Sequence, residues 1–140
     1  MIHFIIEKWE ENKSHLEEYF KKTNMQDFES YKTILEKIFE LVINNGADNN
    51  HLFDTKKMTV IDDGDFQGTQ IFIIPLKTRQ PSETEYVITN KFYGSYSGCD
   101  TLLGISNYDD GLPSEEQVSK YMTVAIHLIQ KMKWLYDENE

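Results

Sequence analysis

Two stretches of this sequence hold the residue types that chemistry needs. The first, Tyr93-Gly94-Ser95-Tyr96-Ser97-Gly98-Cys99-Asp100-Thr101-Leu102-Leu103-Gly104, sets several glycines around the chain's single cysteine. A glycine-rich turn from strand to helix exposes backbone N–H groups, the physical basis of an anion site. A thiol just ahead of a helix start has a lowered pKa, as a nucleophile requires. The run has no phosphate-binding lysine and no G-x-G-x-x-G spacing, so it is neither a P-loop nor a dinucleotide fingerprint. A catalytic thiol also needs a base. Of His3, His15, His51 and His127, only His127 falls on a helix expected to pack nearby, and it faces away from that helix's apolar stripe. A tight turn with Cys99 as a small buried hydrophobe is the preferred reading.

The second stretch is Asp62-Asp63-Gly64-Asp65-Phe66-Gln67-Gly68-Thr69. Clustered carboxylates can ligate a hard cation. Here the glycine comes too early for an EF-hand and no glutamate closes a twelve-residue loop. Asp and Gly also make turns for local reasons, so a hairpin turn is expected and no metal or cofactor is assigned. If the two turns converge, Asp65, Gln67, Ser95, Cys99 and Asp100 would line a small-ligand site. A third group, Trp134 with His127 and Lys131, falls on the polar face expected for the last helix, where a tryptophan can anchor an interface.

The elements that position these residues follow from periodicity. Ile5, Trp9, Leu16, Tyr19 and Phe20 recur at helical spacing, with Lys21 and Lys22 at the favourable C-terminal end. Asn24 is a candidate cap for a second helix striped by Phe28, Tyr31, Leu35, Ile38, Phe39 and Val42. Asn44-Asn45-Gly46 stops it, and the short connection implies an antiparallel helical hairpin. After residue 56 the period shifts. Met58–Ile61, Ile71–Leu76 and Tyr86–Tyr93 are β-branched and aromatic runs that read as three antiparallel strands. Ile71-Phe72-Ile73-Ile74 lacks alternation, which predicts a central strand covered on both faces. In the third strand, Tyr86, Ile88 and Phe92 share one side. Ser114-Glu115-Glu116-Gln117 matches a capping box for a long last helix striped by Val118, Tyr121, Met122, Ala125, Ile129, Met132 and Tyr136. The fold class is therefore α+β: an N-terminal helical hairpin, a three-stranded antiparallel sheet and a long C-terminal helix, in one domain over residues 1–140.

The formal charge is −10. Such a field repels nucleic-acid backbones and anionic lipid, and favours a basic protein partner or mimicry of nucleic acid. A lone cysteine excludes an intramolecular disulfide and fits a reducing compartment. The apolar run after Met1 lacks a basic leader and a small-residue cleavage site, and no stretch reaches a membrane-spanning length. A cytoplasmic protein is expected. There is no C-x-x-C, H-E-x-x-H or G-x-S-x-G motif and no basic-aromatic RNA motif.

The run Gly94-Ser95-Tyr96-Ser97-Gly98-Cys99-Asp100-Thr101-Leu102 resembles a Gly-Ser-Cys-Ser-Gly-Cys-Asp-Thr-Leu stretch carried by a loosely defined group of phage and prophage proteins of no assigned activity. Asp63-Gly64-Asp65-Phe66-Gln67-Gly68-Thr69 and the helix around His127-Leu128-Ile129-Gln130 are similar too, so the resemblance spans roughly 80 residues, a domain's core by length. Tyr96 stands where the group tends to have a second cysteine, which weakens any role needing paired thiols. The resemblance implies a mobile-element origin. Small acidic proteins of that kind often block a host protein, so the expected function is a non-enzymatic inhibitor of a host defence or nucleic-acid-handling protein. Its acidic surface would meet a basic surface of the partner. The residues expected to contribute are Asp62, Asp63, Asp109, Asp110 and Trp134. The alternatives are the small-ligand site or minor enzyme named above, and an assembly subunit with Trp134 and Tyr136 at a homo-oligomer contact.

Overall fold

The first helix, α1 (Ile2–Lys21), buries Ile5, Leu16 and Phe20. In the computed structural model, which describes residues 2–23, 30–64, 67–94, 105 and 112–136, it pairs with α2 (Ser30–Lys37). Helix α2 continues without a break into a π-helical segment, Ile38–Ile43, closed by Asn44 N–H donating to the Phe39 carbonyl at 2.7 Å. Ile38, Phe39, Val42 and Ile43 are all buried there.

The hairpin is antiparallel, as expected: Tyr19 meets Lys37, Asn12 meets Val42 and Lys8 meets Asn45. Polar side chains of α1 cap the end of its neighbour. Asn12 Nδ2 donates to the carbonyls of Val42 (2.9 Å) and Asn45 (3.1 Å), and Lys8 Nζ reaches the Asn45 carbonyl at 3.1 Å. Helix ends leave carbonyls without intrahelical partners, and a cation there also meets the negative end of the dipole. Asn44 then clamps the following chain, its amide exchanging two 2.9 Å hydrogen bonds with the Phe53 backbone.

The sheet has four strands among the described residues, in the order β1-β2-β3-β4, each neighbour antiparallel. They are β1 (Thr59–Asp62), β2 (Gly68–Pro75), β3 (Tyr86–Tyr93) and β4 (Lys133–Trp134). The expected sheet of three strands is thus corrected to four. The last helix, α3 (Glu115–Gln130), ends before Trp134. The chain turns at Lys131 and Met132, and Trp134 pairs with Val87 on the edge of β3. Trp134 and Tyr136 therefore lie beyond the helix, and the Trp134 ring sits 6.2 Å from that of Phe53.

The helices cover one face of the sheet. Phe72, Ile74 and Val87 point into the core with Val118, Tyr121, Val124, Ala125 and Leu128 of α3. Thr89 Oγ1 donates to the Leu128 carbonyl at 2.7 Å, fixing α3 on β3. The expectation that β2 is covered on both faces is corrected here, because Ile71 and Ile73 are only half-buried and stand outside the core cluster. The capping box at α3 forms as expected: Gln117 N–H donates to Ser114 Oγ at 3.2 Å, and Ser114 N–H to Gln117 Oε1 at 2.8 Å. Among the described residues no helix is long and apolar enough to cross a membrane.

Candidate functional site

The β1–β2 turn and the end of β3 meet. Antiparallel register sets Gly68 opposite Tyr93, so Gly94, at the start of the Tyr93–Gly104 stretch, adjoins the Asp62–Thr69 turn. The buried Tyr93 hydroxyl lies 2.6 Å from Asp62 Oδ1 and 2.7 Å from the Gly64 carbonyl, its one proton shared between these acceptors. Gly64 N–H donates to Asp62 Oδ1 at 3.0 Å, and Gln70 Nε2 to Oδ2 at 3.3 Å. These bonds, the Tyr93 hydroxyl foremost, hold the Asp62 carboxyl below its ordinary range. Asp63 is committed as well, accepting from Thr69 N–H at 2.7 Å. The glycines serve close approach: a Cβ on Gly64 would collide with the Gln67 carbonyl, and one on Gly68 with Asp63 Oδ1. Two of the four carboxylates expected to engage a partner, Asp62 and Asp63, are thus exposed at the tip yet shaped by the turn's own hydrogen bonds.

Gln67 lies exposed at the same turn. The other expected ligand or partner residues, Asp65, Ser95, Cys99, Asp100, Asp109 and Asp110, lie outside the described residues. Among the described residues no three His, Cys, Asp or Glu side chains gather closely enough to hold a metal ion. His127 is exposed on α3, and Lys131 beside it donates to the Asn90 carbonyl at 3.3 Å.

Removing the Tyr93 hydroxyl should loosen this junction. Tyr93→Phe is expected to cost about 1–2 kcal/mol in chemical denaturation, since it strips a donor from a carboxylate and a carbonyl. A folded carboxyl pKa below the unfolded one adds stability that is full above the unfolded value and lost as pH falls through the folded value. Asp62, Asp48 and Glu85 are all lowered, so part of the wild-type stability disappears below about pH 4. Tyr93→Phe should flatten that acid limb. An acid limb identical to wild type would refute the role given to Tyr93.

The feature that sequence periodicity missed is the far face of the sheet. Alternation sends Ile61, Ile71, Ile73, Tyr86, Ile88 and Phe92 away from the helices, and cross-strand register places them together: Ile61 beside Ile71, Ile73 beside Ile88, and Phe92 beside Thr69. Ile61 is 49% exposed and Phe92 50% exposed. Leu135, also exposed, extends the patch past Tyr86, whose carbonyl accepts its N–H at 2.8 Å. Asp63 pairs with Thr69 in the row that holds Phe92, so an acidic turn borders one end of the apolar face. Asn90, opposite Ile71, interrupts this row of apolar side chains, and Lys133, opposite Ile88, flanks it at the β4 edge. An exposed apolar surface with polar groups around it is the usual form of an interaction site. No family model, curated protein or solved structure matches the chain. The face must therefore be read from its own chemistry. The alternation in β3 was the available signal: Tyr86, Ile88 and Phe92 do share a side, and it is the open one.

Proposed function

We propose that this protein is a non-enzymatic binding protein of phage or prophage origin. It would inhibit a host defence or nucleic-acid-handling protein in the host cytoplasm by docking on a basic surface of that protein. The observation that carries this reading is the open sheet face, where Ile61, Ile71, Ile73, Ile88 and Phe92 surround Asn90 between Asp63 at the turn end and Lys133 at the β4 edge. An aromatic and aliphatic centre supplies binding energy, while the surrounding charge selects the partner and speeds encounter. Lys13, Lys21, Lys32, Lys37 and Lys120 each lie within ion-pair distance of a glutamate on their own helix, which leaves them poor anchors for an anion.

Immobilised protein, incubated with host extract, should retain a basic partner whose affinity, remeasured with purified components, falls about tenfold or more between low and high salt as screening shortens. A partner whose affinity ignores salt would remove the electrostatic half of the proposal. The meeting of the Asp62–Gly68 turn with Tyr93 favours a second reading, a small-ligand site at that junction. A ligand bound only by the native state raises Tm. A rise with nucleotides, cyclic dinucleotides or divalent ions would support that site instead.

A further inference from the structure

The helical side of the molecule carries a groove of its own. Ile5, Ile6 and Trp9 of α1 face Ile126 and Ile129 of α3, with Met132 at the end, around an apolar depression of about 350 Å³. A second depression, about 470 Å³, shares Trp9 and Ile126 and continues to Lys21 and Glu115. Together they run from Ile5 to Lys21 of α1, a length of about 24 Å at the rise of a helix. None of the lining residues belongs to the sheet.

We infer that this groove receives a basic amphipathic α-helix of a partner protein. An open trough between two helices, with apolar side chains along its floor, matches the apolar stripe of a third helix. Charge decides the kind of helix. On the rim Lys13 pairs with Glu10 at 3.4 Å, and Lys21 with Glu17 at 3.4 Å and Glu18 at 3.3 Å, so these charges offset one another. The groove lining, with Glu10, Glu17 and Glu115 against Lys13 and Lys21, keeps an excess of one negative charge. Glu115, across the groove, has no ion-pair partner among the described residues. With a net charge of −10 behind this rim, an acidic helix or a second copy of the chain is repelled and a basic helix is drawn in.

The test uses synthetic 18-residue peptides and calorimetry on the full chain. A leucine–lysine peptide with leucines at i, i+3, i+4 and i+7 is expected to bind one to one. A peptide of the same composition with alternating leucines, and a leucine–glutamate peptide with helical spacing, are expected not to bind. Ile6 is 53% exposed at the groove edge, so Ile6→Glu leaves the fold intact. It should weaken the leucine–lysine peptide about tenfold even though it adds a charge that attracts lysine. Gln130→Trp, which fills the groove from an exposed rim position, should weaken it likewise, whereas Phe92→Asp on the sheet face should not. Equal binding of the alternating peptide, or undiminished binding to both groove variants, overturns the inference. So does a dimer in sedimentation that Ile6→Glu dissolves, since the occupant would then be a second copy.

Discussion

Phe72→Ala is expected to cost about 3–5 kcal/mol in stability, and Phe92→Ala less than about 1 kcal/mol. The two residues lie on neighbouring strands of one sheet, and Phe72 pairs with Thr89 while Phe92 pairs with Thr69. They differ in the face they occupy. Phe72 is fully buried beneath the helices, so its removal loses transfer free energy and leaves a cavity. Phe92 stands half in solvent on the open face, so removal costs little in the free protein. Domains of this size are stable by about 5–15 kcal/mol, so the first variant loses a large share of the total. Urea denaturation of both measures the contrast. Similar large losses at both positions would mean that the outer face is packed after all.

Asn12 supplies the second large effect. Its amide donates to two carbonyls at the end of the π-helical segment, and it is almost wholly buried. Asn12→Ala is expected to cost about 2–3 kcal/mol, through lost hydrogen bonds and the small void left behind. Asn12→Asp nearly preserves shape but replaces the donor with an acceptor facing two acceptors. At neutral pH it should be worse than alanine. Burial against two carbonyls would make the new carboxyl hold its proton to higher pH in the folded state than in the unfolded one, a shift that the Lys8 ammonium at the Asn45 carbonyl opposes without reversing. The deficit relative to wild type therefore grows as pH rises past the unfolded value near 4 and shrinks below it. Thermal denaturation of wild type and both variants from pH 3 to 7 tests the sign. A deficit independent of pH would show that Asn12 acts only by filling space.

These residues also show where sequence reading succeeds and where it stops. The α3 capping box, the turn at Asp62-Asp63-Gly64 and the bounds of β3 are local, set within a few positions by side chain and backbone, and each is found where the sequence places it. Strand β4 was hidden because Met132 and Tyr136 continue the helical spacing of α3, while the pairing of Trp134 with Val87 is a contact 47 positions away. Lys8 and Asn12 looked like ordinary polar positions of a surface helix. Their partners lie 37 and 30 residues on, at the end of another helix. The open face was obscured by Ile71-Phe72-Ile73-Ile74, where both faces of the strand are apolar but only one meets helices. An unbroken apolar run can mean a second apolar surface awaiting a partner as well as a strand buried on both sides.

The central claim is that the open sheet face is the binding surface. Its most direct test is the affinity of the double variant Ile61→Asp and Phe92→Asp for the captured host partner, measured beside wild type together with Tm. Both positions are about half exposed, so Tm should stay within a few degrees of wild type. Affinity should fall about a hundredfold or more, the effect of replacing two large exposed apolar side chains of an interface with charges. A folded double variant that binds its partner as tightly as wild type would contradict the claim.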